Sequence, residues 1–360
     1  MIKKVSNEPV LAVDTESNSL YVYRERVCLV QVSTPTTDYL VDPLAINDLS
    51  PLAPLFANPA QQMIFHAAEY DVICLKRDFG FTFRTIFDTM IAARILGEPQ
   101  VGLGSLLENY FGVTLNKRFQ RADWGKRPLS PAMLDYARMD THYLFALKQL
   151  MTDKLAEKGL TDLAQEDFDL VCGVSQQEAA PNGKSCWKVS GGTRLTPREN
   201  AILQSLCAYR DQYAQKVDLP HFKVLSNDLL VEISRKVPGT LDELKEVPGM
   251  NKNLFRRHAG GVLKAVAEGQ SAPPLKRERT RRPDQAVLKR LSALHDWRKE
   301  QGKKLQVESD VVLPRDFMEK IAVQNPADLT ELKGLMKKIP WRFEHYGKDI
   351  LASIHSKGST

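Results

Sequence analysis

Long apolar runs are missing from this chain. No stretch approaches the ~18 residues that a membrane-spanning helix needs. The first nine residues, Met1 to Pro9, carry no apolar segment of the signal-peptide kind. A cytoplasmic address is therefore expected, and a membrane partner is not. Cysteine is scarce and unpatterned. Its five positions, 28, 74, 172, 186 and 207, are odd in number and never spaced Cys-x-x-Cys. That excludes a zinc ribbon and a disulfide scaffold, and the thiols are expected to be reduced and structural. The composition shows no bias toward disorder, with 43% hydrophobic and 26% charged residues, both ordinary for globular protein. A length of 360 residues exceeds one typical domain, so two or three are expected.

The net charge of +6 hides an asymmetry. Residues 1–190 hold 19 Lys+Arg against 23 Asp+Glu, whereas residues 191–360 hold 31 against 21. An acidic half joined to a basic half suits a catalytic domain followed by nucleic-acid-binding modules. The blander reading is that mild positive charge only aids solubility.

The first ~150 residues alternate strand and helix patterns. Val10–Val13, Leu20–Tyr23, Val27–Ser33 and Asp38–Val41 read as short strands of an antiparallel meander. Met63–His66 reads as another strand, leading into a helix from Ala68 to Arg77. Asp88–Leu96 and Leu103–Phe111 read as helices. Ser130-Pro131 opens a long helix with Ser as N-cap and Pro in the first position. A mixed sheet flanked by helices is the expected architecture. Residues 152–195 are less regular, and a domain boundary is expected near 190.

The C-terminal half repeats itself at a constant offset of 88 residues. Leu203 and Leu206 match Leu291 and Leu294, Tyr209-Arg210 matches Trp297-Arg298, and Val224-Leu225 matches Val312-Leu313. Further on, Pro238 matches Pro326, Leu241 and Leu244 match Leu329 and Leu332, and Val262-Leu263 matches Ile350-Leu351. Two similar all-α domains are expected, over 194–269 and 283–356. Between them, residues 270–282 form a Pro-containing basic linker.

The chemistry-bearing residues lie in the first part. Asp14 and Glu16 are two apart at the end of a strand, so both side chains leave one face. Paired carboxylates repel unless a cation lies between them. Mg²⁺ binds carboxylate oxygen and keeps waters for substrate phosphates. Tyr136 and Asp140 stand four apart and share a helix face, and Asp71 lies in the helix after Met63–His66. Taken singly these are commonplace; their order, spacing and context together give them force. Four carboxylates and a phenol fit a hydrolase that clamps a phosphodiester between two cations, Mg²⁺ or Mn²⁺. In that scheme Asp14 bridges the two cations, Glu16 and Asp140 complete the first site, and Asp71 supports the second. Tyr136 orients the attacking water, because a phenol of pKa near 10 is a poor base at neutral pH.

These stretches resemble the DEDD exonucleases, in the subgroup with a Tyr in the third motif, and within it the ribonuclease D family. The resemblance rests on Leu11-Ala-Val-Asp14-Thr-Glu16, His66-Ala-Ala-Glu-Tyr-Asp71, Phe87-Asp88-Thr-Met, and Asp123-Trp-Gly-Lys-Arg-Pro-Leu-Ser130 followed by Tyr136-Ala-Arg-Met-Asp140. The two repeats resemble HRDC domains. The resemblance implies an α/β RNase H-like exonuclease domain over 1–190, followed by two all-α HRDC-like helical domains. It also implies divalent-metal-dependent 3′→5′ exoribonuclease activity that trims single-stranded 3′ ends of structured RNA, tRNA precursors among them, and releases nucleoside 5′-phosphates. One departure is visible: the family often has an Asn soon after the second-motif His, where this chain has Ala67-Ala68.

Other residues carry weaker signals. His66 stands where it could approach substrate, although a structural histidine is the preferred reading. Asp88 reads as a helix N-cap. Lys117, Arg118, Arg121 and Arg127 flank Trp124 and suit a single-strand track of phosphate contacts and base stacking; the alternative is a charged loop with Trp124 in the core. Tyr209 and Trp297 read as core. Arg256 and Arg257, with Lys276-Arg277 and the arginines of 279–282, are phosphate-contact candidates. Arg256 corresponds to Glu344, so the two repeats are not expected to bind nucleic acid equally. The rival functions are a DNA exonuclease of proofreading type, which the motifs alone do not separate from an RNA enzyme, and an inactive RNA-binding scaffold. A monomer is the default expectation.

Overall fold

The computed structural model describes residues 1–46, 48–175, 189, 194–276 and 284–355. Five strands form one mixed sheet: β1 (Val10–Ser17), β2 (Val27–Ser33), β3 (Asp38–Val41), β4 (Gln62–Phe65) and β5 (Ile86–Asp88), in the order β3-β2-β1-β4-β5. β1 runs antiparallel to β2 and parallel to β4, and β5 runs parallel to β4. Alternate residues of β1 enter different cores. Leu11 and Val13 pack with Val72 and Leu75 of the Ala68–Phe79 helix. Ala12 packs with Ala92, Leu144 and Leu147 from helices on the opposite face. Both faces are covered, which is why these strands read as near-continuous apolar runs.

Several local expectations are corrected. Leu20–Tyr23 is a turn and not a strand. Its aromatic residues serve other partners: Tyr23 donates through its hydroxyl to Asp211 Oδ1 at 2.7 Å, and Lys223 lies 4.2 Å from the Tyr21 ring centroid. The helix opened by Ser130 breaks at Tyr143 into Pro131–His142 and Leu144–Glu157. Residues 161–172, expected to be irregular, form the helix Thr161–Cys172. Cys28, Cys74 and Cys172 are free thiols, whereas Cys207 is disulfide-bonded, against expectation. Cys186 and the arginines at 277, 279, 281 and 282 lie outside the described residues. Among the described residues no helix is long and apolar enough to cross a membrane.

The 88-residue repeat survives into three dimensions. Helices Pro197–Val217, Asn227–Lys236 and Lys252–Ser271 enclose one core with Leu206, Ile233 and Val262. Helices Gln285–Leu305, Arg315–Gln324, Leu329–Leu335 and Pro340–His355 enclose another with Leu294, Ile321 and Ile350. Equivalent buried arginines even make equivalent bonds: Arg210 Nη1 donates to the Leu225 carbonyl at 3.0 Å, and Arg298 Nη1 to the Leu313 carbonyl at 2.9 Å. The partly buried Tyr209 and Trp297 pack against these cores.

By packing, the chain divides into two units. One comprises Met1–Ser17, Val27–Gln176 and Pro283–Thr360; the other comprises Asn18–Arg26 and Gln177–Arg282. The second repeat thus belongs with the sheet domain. Arg342, fully buried, holds it there. Its guanidinium bonds Glu166 Oε2 at 3.0 Å and Asp167 at 2.8 and 2.9 Å, and donates to the Val311 carbonyl. Glu166 also accepts the backbone N–H groups of Trp341 and Arg342, which open the Pro340–His355 helix. Burial raises the Glu166 pKa despite the opposing pull of Arg342. Nearby, Arg94 pairs with Asp310 at 2.7 Å. Gly97, at φ +78°, lets the Gln306 carbonyl approach so closely that a Cβ would lie 2.6 Å from its oxygen.

The first repeat has Leu254 in place of Arg342, so it lacks this latch. Arg342→Ala leaves the buried Glu166 and the partly buried Asp167 without their cation, and is expected to cost about 3–5 kcal/mol in urea unfolding of the unit holding the sheet. Arg342→Met paired with Glu166→Gln and Asp167→Asn should recover much of that loss.

Candidate active site

The site forms where β1 and β4 end, at the carboxyl edge of the parallel strands. β1 places Asp14 and Glu16 on the face that carries Ala12, and the Pro131–His142 helix lies over that face. This helix starts at Ser130, whose hydroxyl accepts the Met133 N–H at 3.3 Å, with Pro131 in the first position. Its far end is tied to the sheet. Thr141 Oγ1 and Ser33 Oγ are 2.7 Å apart, Ser33 donates to Asp38 at 2.7 Å, and His142 Nδ1 lies 2.8 Å from Asp38 Oδ2. So fixed, the helix presents Tyr136 and Asp140 to Asp14 and Glu16.

Carboxylate oxygens of Asp14, Glu16 and Asp140 all lie within 4.8 Å of one another. Asp71 comes from the helix on the opposite face of the sheet and is buried. Thr15, pointing the other way from its neighbours, donates its hydroxyl to Asp71 Oδ1. Among the described residues no lysine or arginine pairs with any of the four. Burial and then mutual repulsion raise their proton affinities: Glu16 to about 9, Asp140 to about 7 and Asp14 well above the carboxylate range. Burial, with a smaller push from the Asp88 charge, drives Asp71 to about 7, against the Thr15 bond. The donor set is all oxygen, clustered, and short of positive charge. It fits hard divalent cations.

Tyr136 packs between Trp124 and Phe119, each with its ring centroid 5.9 Å away. Burial and then the neighbouring Asp140, Glu16 and Asp14 charges push its phenol pKa up. It stays protonated at neutral pH. An open cleft of about 430 Å³ rises from this floor, lined by Asp14, Glu16, His66, Lys117, Tyr136 and Asp140 among others.

The remaining sequence candidates divide. Lys117 lines the cleft, and Arg118 and Arg121 are exposed. Trp124 is only 1% exposed, so it cannot stack on a base; it is the core wedge beneath Tyr136. Arg127 is not free for phosphate either. It grips both Asp42 oxygens at 2.7 Å and donates to the Cys28 and Trp124 carbonyls. Arg256 and Arg257 are exposed on the Lys252–Ser271 helix.

Sequence reasoning missed three groups. Thr15, between Asp14 and Glu16, gave no signal beyond its place in the motif. Gln31, opposite Asp14 in the β1–β2 register, is fully buried, and its amide has no protein partner among the described residues. A glutamine inside the run Val27–Val32 was the available clue. Asp88 does more than cap one helix: its carboxylate accepts from Met90 and Ile91 on its own helix and from Ala67 and Ala68 at the start of the Asp71 helix. It fixes where that helix begins.

Comparison with known proteins gives the family. A model of the 3′-5′ exonuclease domain matches residues 1–156, and a model of the HRDC domain matches 199–266 and 287–354. Ribonuclease D of Granulibacter bethesdensis is 28% identical over 96% of this chain and 87% of its own length. The crystal structure of Escherichia coli RNase D, an exoribonuclease involved in structured RNA processing, is 25% identical and superposes with a TM-score of 0.72 over 98% of this chain and 95% of that one. This chain belongs to the ribonuclease D family. The likeness extends to a wider group: Protein RRP6-like 3 of Arabidopsis thaliana is 33% identical over 67% of this chain, which spans 30% of that protein. As a ribonuclease D the chain is a 3′→5′ exoribonuclease, with an RNase H-like catalytic domain and two HRDC domains.

The departure at Ala67 now has a physical meaning. Ala67 sits at φ 65°, ψ 49°, in the left-handed region, which costs a Cβ-bearing residue roughly 1–2 kcal/mol and which asparagine tolerates better. Ala67→Asn is therefore expected to stabilise the protein by about 0.5–1 kcal/mol, seen as a higher urea midpoint at unchanged slope.

Proposed function

We propose that this exoribonuclease trims single-stranded 3′ extensions of structured RNAs, tRNA precursors among them, by hydrolysis at a pair of divalent cations, Mg²⁺ or Mn²⁺, releasing nucleoside 5′-phosphates. The observation that supports it is the trio Asp14, Glu16 and Asp140, converging without a protein counter-charge on the floor of an open cleft. Asp14 would hold both cations, Glu16 and Asp140 the first, and Asp71 the second. When bound, the cations supply a nucleophile at neutral pH and neutralise charge on the reacting phosphate.

The chain's own residues do the rest. Asp88 and Thr15 hold Asp71 in place. The Ser33–Thr141 and Asp38–His142 contacts set the height of Asp140 above the sheet. Tyr136, neutral and wedged between two rings, orients the attacking water through its hydroxyl. Lys117, Arg118 and Arg121 would counter the charge of the incoming strand. In the other unit, the exposed Arg256 and Arg257 would contact phosphates without reading sequence, while Glu344 takes the equivalent position in the second repeat. A monomer suffices for this reading.

The test is a 5′-labelled tRNA-like RNA with a 3′ extension, incubated with wild type, Asp140→Ala and Tyr136→Phe, with single-stranded DNA as competitor. A ladder shortening from the 3′ end, dependent on Mg²⁺ or Mn²⁺, is expected from wild type. Asp140→Ala should lose at least ~10²-fold and Tyr136→Phe about 10²-fold. Strong competition by DNA would favour a DNA exonuclease, and tight RNA binding without cleavage would favour an inactive scaffold.

A further inference from the structure

His66 follows β4 directly and lines the catalytic cleft beside Asp14, Glu16, Tyr136 and Asp140. Its Nδ1 lies 2.9 Å from Thr89 Oγ1, and Thr89 Oγ1 lies 3.1 Å from the Phe65 carbonyl oxygen. Thr89 is fully buried. These contacts fix the proton positions. A carbonyl oxygen can only accept, so the single hydroxyl proton of Thr89 goes to Phe65. Thr89 Oγ1 must then accept, and the donor is His66 Nδ1–H. The second ring nitrogen, Nε2, is left with a lone pair, because burial keeps the imidazole neutral by lowering its pKa to about 4. His66 is partly exposed and lines the cleft, so with Nδ1 committed to Thr89 its Nε2 is the ring nitrogen left to accept from a ligand there.

An acceptor in a cleft with three carboxylates is of no use to a phosphate, whose oxygens also only accept. It suits a hydroxyl. With the scissile phosphodiester at the carboxylates, the donors that come nearest are the sugar hydroxyls of the 3′-terminal nucleotide. We propose that His66 Nε2 accepts a hydrogen bond from a ribose hydroxyl of that nucleotide, with Thr89 as the positioning residue that locks the tautomer. This rests on the exoribonuclease reading above and adds a specificity device to it. A terminal 3′-phosphate would set acceptor against acceptor, so such ends should be poor substrates.

The experiment compares kcat/KM for three oligoribonucleotides that differ only at the last residue: ribose, 2′-deoxyribose or 3′-deoxyribose. Each is cleaved by wild type, His66→Ala, His66→Gln and Thr89→Val. Wild type should lose about 3- to 10-fold on one deoxy end, as expected for one neutral hydrogen bond, and that end identifies the hydroxyl. His66→Ala should lose a similar factor on the ribose end and be indifferent to that deoxy end. His66→Gln, whose amide oxygen can accept, should restore part of the discrimination. Thr89→Val, which frees the ring to place its proton on Nε2, should weaken it. Equal losses by His66→Ala on all three ends, so that the variant discriminates as wild type does, would overturn the proposal, since that is what a packing role produces. Wild type indifferent to both deoxy ends would also overturn it. Wild type inactive on every RNA would instead remove the exoribonuclease reading itself.

Discussion

Four carboxylates held together without a protein cation are the constraint around which the catalytic domain is arranged. Left alone, such a cluster pushes itself apart or binds protons, and the pKa values of Glu16 and Asp140, raised by burial and then by their neighbours' charges, follow the second tendency. Each carboxylate is therefore held by something other than its neighbours. The sheet register holds Asp14 and Glu16. Thr15 and the helix start fixed by Asp88 hold Asp71. The polar contacts of Ser33, Asp38, Thr141 and His142 hold Asp140. Stability given up at the site is offset by these contacts and by two apolar cores on either face of the sheet.

The two HRDC domains share a sequence pattern and a fold but differ in what surrounds them. The second is latched to the catalytic domain through Arg342, Glu166 and Asp167, a buried ion cluster that also caps a helix. The first carries Leu254 at the equivalent position and packs instead with the Asn18–Arg26 segment. A difference at one position, Arg342 against Leu254, gives one copy a structural task, while the exposed Arg256 and Arg257 lie on the other.

What the sequence disclosed follows from periodicity and chemistry. The two-residue spacing of Asp14 and Glu16, the four-residue spacing of Tyr136 and Asp140, the Ser130-Pro131 helix start and the 88-residue repeat all act through local geometry, which a linear reading can follow. What it hid depends on contacts between distant segments. Arg127 looked like a phosphate ligand because nothing nearby in sequence pairs with it; its partner Asp42 is 85 residues away. Trp124 sits in a charged loop yet fills the core, because Tyr136 needs a floor. Leu20–Tyr23 has strand-like residues, but its aromatic rings are used by Asp211 and Lys223. The double capping role of Asp88 could not be read before β4 and β5 were known to be neighbours.

The most direct test of this account is the thermal unfolding of wild type and Asp14→Asn, in chelator and in saturating Mg²⁺, at pH 6 and pH 8.5. The folded pKa values of about 7 and 9 lie above the unfolded values, so the metal-free protein holds protons that the unfolded chain has released. Its stability should fall as pH rises through that range. Mg²⁺ should reverse the loss, raising Tm by about 5–10 °C at pH 8.5 and much less at pH 6. Asp14→Asn should be more stable than wild type in chelator and should gain little from Mg²⁺. A wild-type Tm unmoved by Mg²⁺ at pH 8.5, or an Asp14→Asn variant less stable than wild type in chelator, would contradict the claim that the site is a repulsive cluster awaiting cations.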